Sequence, residues 1–152
     1  MLRHLVIAHL GLTSALLAAP VPLFDGRTLA GWEIRKGEEK WWRVEDGMIT
    51  GGSLTEVVPF NTFLASQKRY ANFDLNFKIR LVKGEEFINS GMQIRSARVE
   101  GDSEMSGYQV DAGADYWGDL YDESRRNRAL VEGLATGQLA VPLLFEIIEV
   151  NF

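Results

Sequence analysis

The chain contains no cysteine, and its only two histidines, His4 and His9, lie in the first ten residues. The first absence excludes disulfides, thiolate metal centres and a cysteine nucleophile. The second leaves no imidazole cluster beyond the N-terminal segment. Asp102, Asp111, Asp115 and Asp119 do not follow the spacing of a calcium loop, so no metal and no cofactor is expected. Basic residues are also in deficit, with 16 Lys and Arg against 21 Asp and Glu and a formal net charge of -5. Nonspecific affinity for nucleic acid comes mostly from basic side chains neutralising phosphates, so nucleic acid is not an expected partner. The one basic cluster, Arg125, Arg126 and Arg128, stands beside Asp119, Asp122 and Glu123 and reads as a locally paired surface.

A single apolar run stands out, residues 5–19, preceded by Arg3 and His4 and followed by Pro20 and Pro22. It is shorter than the roughly 20 apolar residues of a membrane span. A basic start, an apolar middle and small residues before the cut are the order of a secretory signal peptide. Residues 1–19 are therefore expected to be a cleaved leader and the mature protein to be periplasmic or extracellular, with no stable membrane span.

Beyond the leader the pattern is all-β: short alternating segments separated by glycine and acidic turns, with little at helical spacing. Asp46-Gly47 tolerates the positive φ angles of a tight hairpin and is flanked by strand-like residues 41–45 and 48–51. Between residues 72 and 81, Phe73, Leu75, Phe77, Ile79 and Leu81 alternate with Asp74, Asn76, Lys78 and Arg80, which gives one buried and one wet face. A polar turn at residues 83–86 then leads to a strand around Met92 and Ile94, and the two strands are expected to pair antiparallel. In residues 108–111, Gln109 and Asp111 share one face and Tyr108 and Val110 the other. Short strands at wide spacing favour a two-sheet sandwich over a small barrel. The last stretch, GLATGQLAVPLLFEIIEVNF, is more apolar than what precedes it and reads either as a last strand over residues 143–150 or as a tail foreign to the domain.

Five segments, in this order and spacing, resemble the 3-keto-disaccharide hydrolase family: LFDGRTLAGWEI (residues 23–34), WWRVEDGMITG (41–51), FLASQKRYANFDLNFKIRL (63–81), NSGMQIRS (89–96) and GYQVDAGADYWGDLYDESRRNRAL (107–130). The resemblance implies a concanavalin-like or laminin-G-like jelly-roll β-sandwich. It also implies a tryptophan-asparagine strand and further strands beyond Val131, which this sequence lacks. The expected organisation is thus a leader over 1–19, an incomplete domain over 20–131 and an atypical tail over 132–152.

The resemblance further implies a sugar substrate carrying a ketone at carbon 3. Such a ketone acidifies the hydrogen on carbon 2, so cleavage by elimination and hydration needs a base, a donor for the enolate oxygen and an acid for the leaving group. Asp111 is the candidate base, against a turn or capping role before Ala112-Gly113. Arg95 reaches the same face by strand parity and is the candidate enolate donor, against a structural ion pair. Glu123 is the candidate acid. Asn89 and Gln109 are candidates to orient hydroxyls, Asn89 also being an ordinary turn former. Trp117 and Tyr121 are candidates to stack on a pyranose, against core packing. Arg125 and Asn127 are candidate substrate contacts, with surface pairing the alternative for both and for Glu123. Because fold does not fix function, a noncatalytic sugar-binding module and an inactive fragment of the enzyme remain open beside the hydrolase or lyase.

Overall fold

The computed structural model describes residues 20–82, 88–113 and 115–132, together with the backbone of 146–151. The leader expected at 1–19 and the polar turn expected at 83–86 lie outside the described residues. The chain is all-β, built from antiparallel sheets in the manner of a jelly-roll sandwich.

The entry to the domain is a side-chain-built turn. The Asp25 carboxylate accepts hydrogen bonds from the backbone N–H of Arg27 and of Thr28, both at 2.7 Å, and from the Thr28 hydroxyl at 2.9 Å. β1 (Trp32–Ile34) pairs antiparallel with β4 (Leu64–Ser66). A single 3-10 turn, Glu39–Trp41, then leads into β2 (Trp42–Glu45), which forms a hairpin with β3 (Met48–Gly51). Asp46 and Gly47 connect them at φ 51° and 74°, the left-handed pair that a two-residue turn requires. Of the three tryptophans near the start, Trp41 is buried while Trp32 and Trp42 are half-buried. Among the described residues, Ile49, Met105 and Ala112 join Trp41 as the buried apolar core.

β5 (Asp74–Lys78) keeps the expected alternation, with Leu75 and Phe77 half-buried and Asp74, Asn76 and Lys78 exposed. Its partner corrects the expectation from sequence. β5 pairs with β10 (Glu146–Asn151), whereas β6 (Asn89–Arg98) pairs with β7 (Met105–Gly113). Strand alternation identifies a strand's faces but says nothing of its neighbour, so the nearest strand in sequence was the wrong choice. The apolar end of the chain thus supplies a strand.

The largest sheet has the order β6, β7, β8 (Leu120–Glu123) and β9 (Ala129–Val131). The β8–β9 turn is locked by an electrostatic knot. Asp122, wholly buried, accepts from Arg125 Nε and from Arg126 Nη1, each at 2.6 Å. Burial alone would raise the Asp122 pKa, but the two guanidinium groups outweigh it and hold the carboxyl below its usual range. Among the described residues no helix is long and apolar enough to cross a membrane.

Candidate functional site

Register decides which residues meet on the four-stranded sheet. Asn89 lies opposite Gly113, Gly91 opposite Asp111, Gln93 opposite Gln109, Gln109 opposite Tyr121, and Gly107 opposite Glu123. Directly opposed residues point to the same face, so these side chains share one surface. Three polar residues on it, Asn89, Asp111 and Glu123, each face a glycine across the ladder. The missing side chains leave a trough, and the larger neighbours fold into it. A Cβ at Gly91 would stand 2.6 Å from Gln109 Cγ, and one at Gly107 would stand 2.7 Å from Gln93 Nε2. At Gly113 it would run into the Tyr116 ring.

The trough opens into a cavity of about 430 Å³ lined by Asn61, Asn89, Gln109, Asp111, Tyr116, Asp119, Tyr121, Glu123 and Ala129. That is a volume suited to a small molecule. Its loop end is stitched by the backbone: Asp111 N–H donates to Asp119 C=O at 2.9 Å, Gly118 N–H to Asp111 C=O at 2.8 Å, and Asp119 N–H to Tyr116 C=O at 3.1 Å. Asp111 is buried, and its Oδ1 accepts from Gln109 Nε2 at 2.8 Å.

Three carboxylates share this space, and among the described lining residues there is no Lys, Arg or His. The electrostatic consequence is uniform. Burial pushes the Asp111 carboxyl above its usual value, and the negative charge of Asp119 adds to this against the opposing hydrogen bond from Gln109. Burial likewise raises Glu123, with Glu104 and then Asp111 contributing repulsion. Tyr116 and Tyr121 are raised as well, first by burial and then by neighbouring carboxylates, so both phenols are held as neutral donors. Among the described residues no group of three His, Asp or Glu side chains gathers to hold a metal ion.

Five of the residues singled out from sequence therefore meet in one cavity: Asn89, Gln109, Asp111, Tyr121 and Glu123. Four do not line it. Arg95 was placed there by parity, but β6 carries an irregularity between Ile94 and Ala97, and Arg95 itself sits at φ 52°. The break in alternation turns its exposed side chain away, toward the Ala71 carbonyl at 3.4 Å. Arg125 belongs to the opposite face, its guanidinium on Asp122 and 4.2 Å from the Tyr108 ring centroid. Asn127 is an exposed turn residue at φ 49° whose N–H donates to the Asp122 carbonyl at 3.0 Å. Trp117 is half-buried in the β7–β8 loop. Its neighbour Tyr116 takes the place in the cavity, because that ring packs over Gly113. Asn61 and Asp119 were also missed as cavity residues. Asn61 comes from a segment far away in sequence and carries no local signal, whereas Asp119 follows from the β7–β8 register.

The family model described as the 3-keto-alpha-glucoside-1,2-lyase-like domain matches residues 19–140, most of the chain. The chain belongs to that family. No curated protein and no solved structure matches it. The cavity is the candidate functional site of this domain, and the family ties the chain to a carbohydrate-active function related to 3-keto-glycosides.

Proposed function

We propose that this domain cleaves uncharged 3-keto-glycosides by base-initiated elimination, with Asp111 as the base. One observation carries the reading: a buried carboxylate on the wall of a cavity, its pKa raised above the ordinary value by burial and by Asp119, and aimed by a hydrogen bond from Gln109. A general base works best when its pKa approaches the operating pH. In the proposed step Asp111 takes the proton from carbon 2 of the 3-keto sugar. The freed electron pair passes through the enolate and forms the carbon 1–carbon 2 double bond as the carbon 1–oxygen bond breaks. Glu123, which lines the same cavity on the same face of the sheet, gives its proton to the departing oxygen. Addition of water across the new double bond completes hydrolysis; without it the protein acts as a lyase.

With Arg95 pointing elsewhere, the donor to the enolate oxygen must come from the cavity itself. Tyr116 is the choice, since it lies against Gly113 beside Asp111, as a donor to carbon 3 must when the base acts at carbon 2. Four residues of β7 separate Asp111 from the level of Glu123, on the order of 13 Å along the strand, so the two side chains reach the adjacent carbon-2 hydrogen and glycosidic oxygen by leaning toward each other from opposite ends of the trough. The all-acidic and neutral lining favours neutral sugars and disfavours uronates and sugar phosphates. The basic, apolar and small-residue order of residues 3–19 supports export of the domain.

The test is turnover of a 3-keto-glucoside beside the unoxidised glucoside, which has no acidified carbon-2 hydrogen. The expected result is cleavage of the keto sugar alone, and a loss of at least about 100-fold in Asp111→Asn with sugar binding retained. Equal cleavage of both sugars would end the elimination reading. Binding without turnover of either would make the domain a sugar-binding module.

A further inference from the structure

Asn61 is the one cavity residue contributed by the irregular segment between β3 and β4. Such a segment is free to wander unless it is tied down, and here it is tied at consecutive residues. The Thr62 hydroxyl donates to Glu38 Oε2 at 2.7 Å and accepts from Trp42 Nε1 at 2.9 Å, and Glu38 is buried. The Phe63 carbonyl accepts from Arg98 Nη2 at 3.4 Å. Asn61 itself donates through Nδ2 to Glu104 Oε1 at 2.9 Å. The other Glu104 oxygen accepts from the Ser124 hydroxyl at 3.5 Å. Ser124 directly follows Glu123 and stands at φ 52°, a left-handed conformation that a non-glycine residue keeps only when its surroundings enforce it.

We propose that Glu104 is a positioning residue of this site: its single carboxylate holds Asn61 at the rim, where the amide recognises a hydroxyl of the bound sugar, and holds Ser124 so that Glu123 faces the leaving oxygen. Glu104 is not a lining residue and touches no reacting atom. The catalytic part of this inference rests on the roles given above to Asp111 and Glu123, while the binding part does not. Glu104 also faces Glu123 as a like charge from the β6–β7 turn. The other groups bearing on Glu123 are Asp111 from β7 and the Ser124 N–H; Tyr121 neighbours it on β8, and Tyr116 and Asp119 complete the titratable lining.

Three variants separate these roles. Glu104→Gln keeps the size and an acceptor for Asn61 but removes the charge. The Glu123 carboxyl, followed by carbon-13 NMR, is expected to titrate at lower pH, with affinity for methyl α-glucoside or its 3-keto derivative unchanged. Asn61→Ala is expected to weaken that affinity about tenfold, the scale of one hydrogen bond, without moving the Glu123 titration. Glu104→Ala is expected to do both, and adding Asn61→Ala to it should weaken binding no further. In the active protein the alkaline limb of kcat/KM for the 3-keto sugar should fall to lower pH in Glu104→Gln. An unmoved Glu123 titration in that variant, or wild-type affinity in Asn61→Ala, overturns the proposal. Titration and affinity effects as expected, in a protein that turns over neither sugar, support the role of Glu104 and sink the elimination chemistry instead.

Discussion

Gly113→Ala isolates the contribution of Tyr116 without removing any polar group. The added Cβ would overlap the ring at Cε2 and Cζ and stand 2.6 Å from Oη, where carbon contacts normally begin near 3.5 Å. One partner must move by about an ångström. The backbone of Tyr116 is held by the bond from Asp119 N–H, and that loop is tied to β7 through Gly118 and Asp111. The far end of the ring is the softest element, so it swings out of the cavity. Overpacking of this kind costs about 1–3 kcal/mol, and the low end applies because a side chain rather than a strand yields. For a chain of this length each kcal/mol lowers Tm by about 2–4 °C. Thermal unfolding by circular dichroism should therefore show a drop of a few degrees in a still cooperative transition. Turnover should fall far more, by about 100-fold to 1000-fold, the scale of one lost donor to a developing oxyanion. Tyr116→Phe should lose as much, and the double variant no more than either, because both remove the same hydroxyl from the same place. Full turnover in Gly113→Ala, or additive losses in the double variant, would refute the assignment of Tyr116 as enolate donor.

Further expectations concern stability and export. Asp111 has a raised pKa in the fold, so its ionisation costs stability as pH rises above the ordinary carboxylate range; Asp111→Asn should raise Tm at neutral pH, with the gain vanishing in acid. Asp122 has a lowered pKa, so it contributes stability above that range and loses it as pH falls through the folded value; Asp122→Asn should lower Tm at neutral pH, with the deficit closing in acid. Melting curves of both variants across pH test the two opposite signs in one experiment. Trp41 is 2% exposed, and Trp41→Ala should cost about 3–5 kcal/mol in urea unfolding. N-terminal sequencing of exported protein should begin between Ala19 and Leu23, and a product retaining Met1 would contradict the leader.

Local chemistry was legible in the sequence and long-range pairing was not. Asp46-Gly47 announced its hairpin because the φ requirement of the turn is met by those two residues alone. The shared face of Gln109 and Asp111 followed from a period of two within an unbroken strand. The same rule failed at Arg95, where a local break in the ladder of β6 reverses direction, and no residue type there signals it. The pairing of β5 with β10 brings together segments more than sixty residues apart in the chain, beyond the reach of any periodicity. The glycines were visible one by one, but their meaning was not. Gly91, Gly107 and Gly113 become a trough only once the register sets them opposite Asp111, Glu123 and Asn89. Within GADYWGD, Trp117 is the aromatic that its loop-like setting offers for stacking on a sugar, whereas the cavity takes Tyr116, the ring that can fold back over a residue with no side chain.

A base that removes the proton from carbon 2 of a 3-keto sugar must also exchange that proton with solvent, so the proposed role of Asp111 can be followed as deuterium uptake at carbon 2. A 3-keto-glucoside incubated in D2O with the protein, and followed by proton NMR, should lose its carbon-2 signal faster than cleavage product accumulates whenever departure of the leaving group is the slower step. In Glu123→Gln, where the departing oxygen lacks its acid, exchange should persist while cleavage falls. In Asp111→Asn both should cease together. Cleavage by Asp111→Asn at the wild-type rate, or exchange at carbon 2 undiminished in that variant, would show that Asp111 is not the base.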